Sequence, residues 1–158
     1  AGSHGKDTKG IIRQHQFEKV ELVHIVHPKN AETALEEITL QAESILEGLD
    51  IPYQRVSLST GDLGFAASIT NDIEAWFPSQ NKYREVSSCS CFTDFQSRRL
   101  NIKYKDETKK KNYVFTLNGS GLAAGRTMAA LIENHTKDQV IHIPEALHNF
   151  TGFKTIKL

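Results

Sequence analysis

Three groups of side chains in this 158-residue sequence are equipped to do chemistry. The first is Arg126, which closes the run LNGSGLAAGR at residues 117–126, one step past the last of its three glycines. A strand-like YVFT precedes the run and an apolar TMAALIEN follows it, so it reads as a strand-to-helix junction. A glycine inside a helix costs about 1 kcal/mol relative to alanine. Gly125 therefore predicts that something approaches the backbone there. Leu122, Ala123, Ala124, Met128, Ala129, Ala130, Leu131 and Ile132 surround Arg126 with apolar side chains and predict a largely buried helix. A desolvated guanidinium needs an anion, and its planar fork suits a carboxylate or a phosphate. A fixed acidic partner and an anionic ligand both satisfy that requirement.

The second group is Arg13, Gln14, His15 and Gln16, a polar loop that runs into Phe17, Glu18 and Glu21. Loops beside strands commonly carry ligand contacts. Phe17 is placed either to stack on a base or to enter the core. Glu21 is placed either to hold an ammonium group or to face water. The third group is Glu85 and Ser88 in YREVSSCS. A carboxylate and a hydroxyl suit Mg²⁺, which keeps waters and bridges phosphates. Three positions apart on a strand, they point to opposite faces unless the strand is irregular. Cys89 and Cys91 fall on one face and read as buried thiols. His24 and His27 point to opposite faces, which argues against a shared metal.

These groups need elements to hold them. Residues 17–27 alternate as a strand with both faces partly covered. Ala31, Ala34, Leu35, Ile38, Ala42, Ile45, Leu46 and Leu49 recur at helical spacing, with Asn30 as a candidate N-cap and Gly48 as a stop. Strands are expected over 53–59, 70–77, 83–90, 100–105 and 112–118, with GDLGF and PSQNK as turns and DETKKK as a charged hairpin loop. Short links between consecutive strands imply antiparallel pairing. The pattern is α+β: a mainly antiparallel sheet backed by helices.

Lys plus Arg and Asp plus Glu both number 19, so global charge offers no nucleic-acid signal, and no DNA-reading motif is present. No apolar run approaches the ~20 residues that span a bilayer. Two closely spaced cysteines make neither an easy disulfide nor a zinc site, and a cytoplasmic setting is the default. The spacing G-x-G-x-x-x-G departs from a dinucleotide fingerprint, and no Walker loop occurs.

In order along the chain, GIIRQHQFEKVE, TGDLGFAAS, YREVSSCS, DFQSRR and TLNGSGLAAGRTMAALIEN resemble seryl-tRNA synthetases, a family of class II aminoacyl-tRNA synthetases. RQHQFEKVE is similar to the loop and second strand of that family's motif 2, and LNGSGLAAGR to its motif 3. The resemblance implies a class II antiparallel sheet carrying a bent ATP. It assigns the γ-phosphate to Arg126, adenine stacking to Phe17, and the phosphates with Mg²⁺ to Glu85 and Ser88, with Val86 and Ser87 lining the same strand. It assigns the α-amino group of serine to Glu21 and the serine side chain to Ser120, with Asn118 beside it. The implied reaction is formation of seryl-adenylate and transfer of serine to tRNA(Ser) by a homodimeric cytoplasmic enzyme, with no role for DNA or a membrane. An irregularity at EVSS is expected, to bring Glu85 and Ser88 to one site. Cys91 stands where the family often has asparagine.

By the same resemblance, residues 1–158 form a partial class II catalytic domain that starts after an Arg-Ser-Glu triplet whose arginine binds the α-phosphate. AGSHGKDTKG is then native loop. Motif 1 and the tRNA-binding helical hairpin lie upstream, so the isolated polypeptide is expected to be inactive and to expose the 17–27 strand along an edge. An amino acid:carrier-protein ligase and a non-catalytic class II-like binding module are the alternative readings.

Overall fold

The structure, a computed structural model, describes residues 10–158. The loop reading of the first residues lies, but for Gly10, outside the described residues. A five-stranded antiparallel sheet organises the rest. Its strands are β1 (Lys19–Val26), β2 (Tyr53–Ser57), β3 (Ile69–Phe77), β4 (Lys82–Cys91) and β7 (Phe115–Ala123), in the order β1-β7-β4-β3-β2. The remaining strands make two small sheets, a hairpin of β5 (Lys103–Lys105) and β6 (Lys111–Tyr113), and a meander of β8 (Thr136–Lys137), β9 (Val140–His142) and β10 (Thr155–Lys157). The helices are α1 (Ala31–Gly48), α2 (Phe95–Leu100), α3 (Ala124–His135) and the single turn α4 (His148–Thr151).

Helix α1 follows its apolar spacing. Ala34, Leu35, Ile38, Ala42 and Leu46 are buried, while Glu32, Glu36 and Glu37 face water. Asn30 occupies the N-cap position without a side-chain capping bond; a 3₁₀ turn over Pro28–Asn30 leads in instead, closed by the Asn30 amide donating to the His27 carbonyl at 2.9 Å. Gly48 is the last helical residue, and the left-handed turn falls on Asp50 at φ 52°. Arg55 of β2 ties the helix to the sheet with a two-pronged contact: Nε and Nη2 each donate to a Glu43 carboxylate oxygen at 2.7 Å.

Pairing register sorts the sheet into two faces, since cross-strand partners share a face and side chains alternate along each strand. Ile73, Ala75, Phe77, Cys89, Leu117 and Gly119 form the face under α1 and supply much of the core. Both cysteines are buried, and burial raises the Cys89 thiol above its ordinary range. The opposite face carries Glu21, Thr70, Asp72, Glu74, Ser90, Asn118 and Ser120. That polar face is where a ligand can be met.

Several boundaries differ from expectation. The glycine run is strand rather than junction: β7 continues through Gly119 and Gly121 to Ala123, so Leu122 and Ala123 lie outside the helix. Helix α3 is amphipathic, with Thr127, Ala130 and Leu131 buried and Met128 and Ile132 exposed. Leu100 ends a helix rather than starting a strand, and the expected 112–118 strand is divided between β6 and β7. β1 lies at the sheet edge with Val23 and Ile25 exposed on one face; the other is half-buried at Leu22, His24 and Val26 but exposed at Val20.

Candidate active site

Over the N-terminal end of β1 and the C-terminal end of β7 lies a cleft of about 400 Å³. Phe17 and Lys19 line it on one side, Gln14 and Arg126 on another, and Glu85 with Ser120 on the sheet. Such a volume accommodates a small organic ligand. Phe17 precedes β1 and is 59% exposed, so its ring stands free for stacking rather than entering the core. Lys19 and Glu21, two residues apart on one face, make an ion pair at 2.7 Å.

Arg126 is not water-excluded, contrary to the expectation of a desolvated guanidinium, and it has partners within the chain. Its side chain keeps 27% exposure. Nε donates to the Ile12 carbonyl at 2.9 Å and Nη1 to the Glu85 carbonyl at 2.7 Å. The Glu85 carboxylate stands 3.7 Å from Nη1, too far for a tight hydrogen bond. The guanidinium is thus held by two neutral carbonyls and only loosely by one acid, and it still lines the cleft. The close approach foreseen at Gly125 is made by the protein itself: a Cβ there would stand 2.9 Å from the Gln14 Oε1.

Glu85 and Ser88 do reach one face, through a bulge. Ile73 pairs with Ser87 and Glu74 with Glu85, leaving Val86 as the extra residue. The bulge resets the alternation, so that Glu85 joins Ser88, Asp72 and Glu74. Ser87 goes the other way. It is buried on the helix face, and its hydroxyl donates to the Ser120 carbonyl at 2.5 Å. Ser87 therefore clamps β4 to β7 and offers the cleft no side-chain contact. Ser120 and Val86 line the cleft; Glu21, Asn118 and Ser88 share its sheet face without lining it.

Sequence reasoning passed over Asp72. Its signal was present as alternation, an acid between Thr70 and Glu74 on the polar face of TNDIEAWF. Its Oδ1 is buried without a hydrogen-bond partner among the described residues. Burial lifts the Asp72 carboxyl above its ordinary range, with the Ser88 hydroxyl pulling down and Glu74 pushing up. Glu85 is raised too, first by burial and then by Asp72, with Arg126 opposing. Among the described residues no three His, Cys, Asp or Glu side chains are grouped to hold a metal by themselves.

A raised carboxyl favours the folded state only while protonated. Its stabilisation is complete below the unfolded pKa of about 4 and is lost as pH rises through the folded value. Asp72→Asn is therefore expected to raise the melting temperature at pH 7 and to leave it unchanged near pH 3. Thermal melts of both proteins across that range check the sign, and a variant less stable at pH 7 would contradict it.

A serine–tRNA ligase of Hydrogenobaculum sp. (strain Y04AAS1) is 59% identical over 151 residues, covering 95% of this chain and 36% of that protein. The crystal structure of seryl-tRNA synthetase from Pyrococcus horikoshii complexed with ATP superposes with a TM-score of 0.93 at 47% identity, over 97% of this chain and 35% of that one. Cytoplasmic serine–tRNA ligase from Naegleria fowleri in complex with AMP gives 0.90 at 39%, over 98% and 37%. The chain thus spans little more than a third of the length of these relatives. The family of tRNA synthetase class II core domains (G, H, P, S and T) matches residues 3–135, and with its antiparallel sheet, its polar cleft and that match over most of its length, the chain belongs to this family.

Proposed function

We propose that residues 1–158 are the part of a serine–tRNA ligase's catalytic core that runs from the motif 2 loop through motif 3. ATP binds in the cleft, its adenine against Phe17 and its γ-phosphate at Arg126. The observation that carries this reading is the cleft itself, with an exposed ring at one side and a guanidinium held mainly by neutral carbonyls at the other. The likeness to two structures described as complexes with ATP and AMP supports it. Glu21 takes the α-amino group of serine, and Ser120 with Asn118 takes its side chain; their shared sheet face supports this.

The face fits a divalent ion. The orphaned Asp72 oxygen, the Glu85 carboxylate and the Ser88 hydroxyl stand together where two carboxyls are held reluctantly charged. Mg²⁺ keeps several waters and takes phosphate oxygens, so a carboxylate and a hydroxyl are enough to seat it beside ATP. Glu85 and Ser88 would hold it, and when bound it neutralises phosphate charge. Arg126 positions the terminal phosphoryl and Glu21 orients serine. A serine carboxylate oxygen then forms a bond to the α-phosphorus as pyrophosphate leaves. Positioning and charge neutralisation carry the step, with no general base required. A terminal hydroxyl of tRNA(Ser) then attacks the adenylate's carbonyl, forming the ester as AMP leaves and the hydroxyl proton is released, in a homodimeric cytoplasmic enzyme.

Among the described residues no helix is long and apolar enough to cross a membrane. The resemblance to serine–tRNA ligases supports this reading over a carrier-protein ligase or a non-catalytic module. The test is ATP–pyrophosphate exchange by the full-length protein that carries this chain. Exchange that depends on serine and not on alanine or threonine is expected; its absence would sink the proposal.

A further inference from the structure

We infer that the β5–β6 hairpin is an RNA-contacting surface, remote from the cleft, that grips the phosphate backbone of the tRNA. The inference rests on the tRNA ligase reading. Between Arg98 and Lys111 seven basic residues stand against two acids, in a chain whose overall charge is zero. The basic charge is therefore gathered here rather than general. Lys103, Lys105, Lys109, Lys110 and Lys111 are all exposed, and none makes an ion pair with a described residue.

Of the two acids, Asp106 is turned into the hairpin's own turn. It accepts from the Thr108 amide at 2.9 Å, the Thr108 hydroxyl at 2.7 Å, the Lys110 amide at 3.0 Å and Asn112 Nδ2 at 2.7 Å. Those bonds fix the loop and so present the lysines on a rigid frame, which lowers the ordering cost of binding. Aromatic rings are interleaved with the charge. Lys103 lies 4.7 Å over the Tyr113 ring, and Tyr104 packs on His27 with centroids 4.6 Å apart.

His27, Lys29, Tyr104 and Lys105, with Asp106 and Glu107, border an open hollow of about 530 Å³. His27 Nδ1 accepts from the Lys29 amide at 3.2 Å, which leaves Nε2–H as an exposed donor. Exposed lysine ammoniums on a fixed hairpin, with a ring donor and aromatic faces beside them, match a sugar-phosphate backbone. A solvated charged loop that merely aids solubility needs neither the rings nor the hollow.

Placement separates this surface from the cleft. β1 runs from Lys19, which lines the cleft, to Val26, next to His27. At ~3.3 Å per residue the two lie on the order of 25 Å apart. A single bound RNA whose 3′ end enters the cleft can touch the hairpin only with a more distant segment, so the contact adds affinity without touching the chemistry.

The test replaces Lys105, Lys110 and Lys111 together by glutamine in the full-length protein. Binding of tRNA(Ser) transcript is measured from 50 to 300 mM salt beside serine-dependent ATP–pyrophosphate exchange. The expected result is about ten-fold weaker binding, and a salt slope reduced by roughly two to three as three phosphate contacts are lost, with exchange unchanged. A matched triple at Lys137, Lys154 and Lys157, exposed on the C-terminal meander, is expected to bind like the parent. Unchanged affinity and slope in the hairpin triple would overturn the inference, as would an equal loss in the matched triple. Should the hairpin triple fold poorly, Lys110→Gln alone must lower the slope by about one. A parent that fails to exchange overturns the ligase reading, while the salt slope still decides the surface.

Discussion

Arg126→Ala is expected to lower serine-dependent ATP–pyrophosphate exchange in the full-length protein by about 10²–10³-fold. The guanidinium lines the cleft and is the group proposed to meet the terminal phosphoryl. Removing a preorganised donor from developing phosphate charge costs about 2.7–4 kcal/mol. Arg126→Lys should rescue little. Two donors on one rigid fork reach the Ile12 and Glu85 carbonyls at 2.9 and 2.7 Å, and an ammonium cannot span both while also facing a ligand. The loop carrying Ile12 and Gln14 would also lose its tether, so the ATP KM should rise along with the fall in kcat. A partly exposed side chain with two hydrogen bonds contributes ~1–2 kcal/mol to folding, so Tm should fall by only a few degrees and the protein should remain folded at assay temperature. A variant that folds normally and exchanges at the parental rate would remove Arg126 from the chemistry.

The second large effect is on folding. Gly119→Ala is expected to destabilise the protein by about 1–3 kcal/mol, a fall of roughly 3–10 °C in Tm for a chain of this size. A Cβ at Gly119 would stand 2.7 Å from Cys89 Sγ, 3.4 Å from Cys89 Cβ and 3.5 Å from Ile38 Cδ1. Cys89 and Ile38 are both fully buried, so neither can swing into water to make room. The glycine is there because β7, β4 and α1 meet at its α-carbon, not because the chain needs a turn. Cys89→Ala in the same background should restore part of the loss, since it removes the sulfur that clashes. Additive effects of the two substitutions would show that the strain lies elsewhere.

The outline of the fold was readable from local pattern. Helix α1 was visible in the spacing of Ala34, Leu35, Ile38, Ala42 and Leu46, because one face of a helix must supply its whole buried surface. Alternation located β1 and turn signals bounded β3 and β4, whose short link implied their antiparallel pairing, while the pairing of β1 with the distant β7 left no local trace. The glycine run misled. Its crowding reflected a close contact between layers, which looks the same as a turn until the partner element is known. Helix α2 was hidden because six residues are too few to display a period.

Residue types by themselves determined that this chain carries an arginine able to meet an anion, an aromatic ring able to stack and a carboxylate beside hydroxyls on strands, because guanidinium, aromatic and acid chemistry travels with the side chain wherever the chain goes. Tertiary structure alone decided which of them meet. The bulge at Val86 carried Glu85 round to Ser88 and the unmentioned Asp72 while turning Ser87 into the core, and the Ile12 and Glu85 carbonyls took up Arg126. Cross-strand register is a pairing between residues far apart in the chain, and a slip of one position exchanges the faces of a strand, so no local pattern could have specified it.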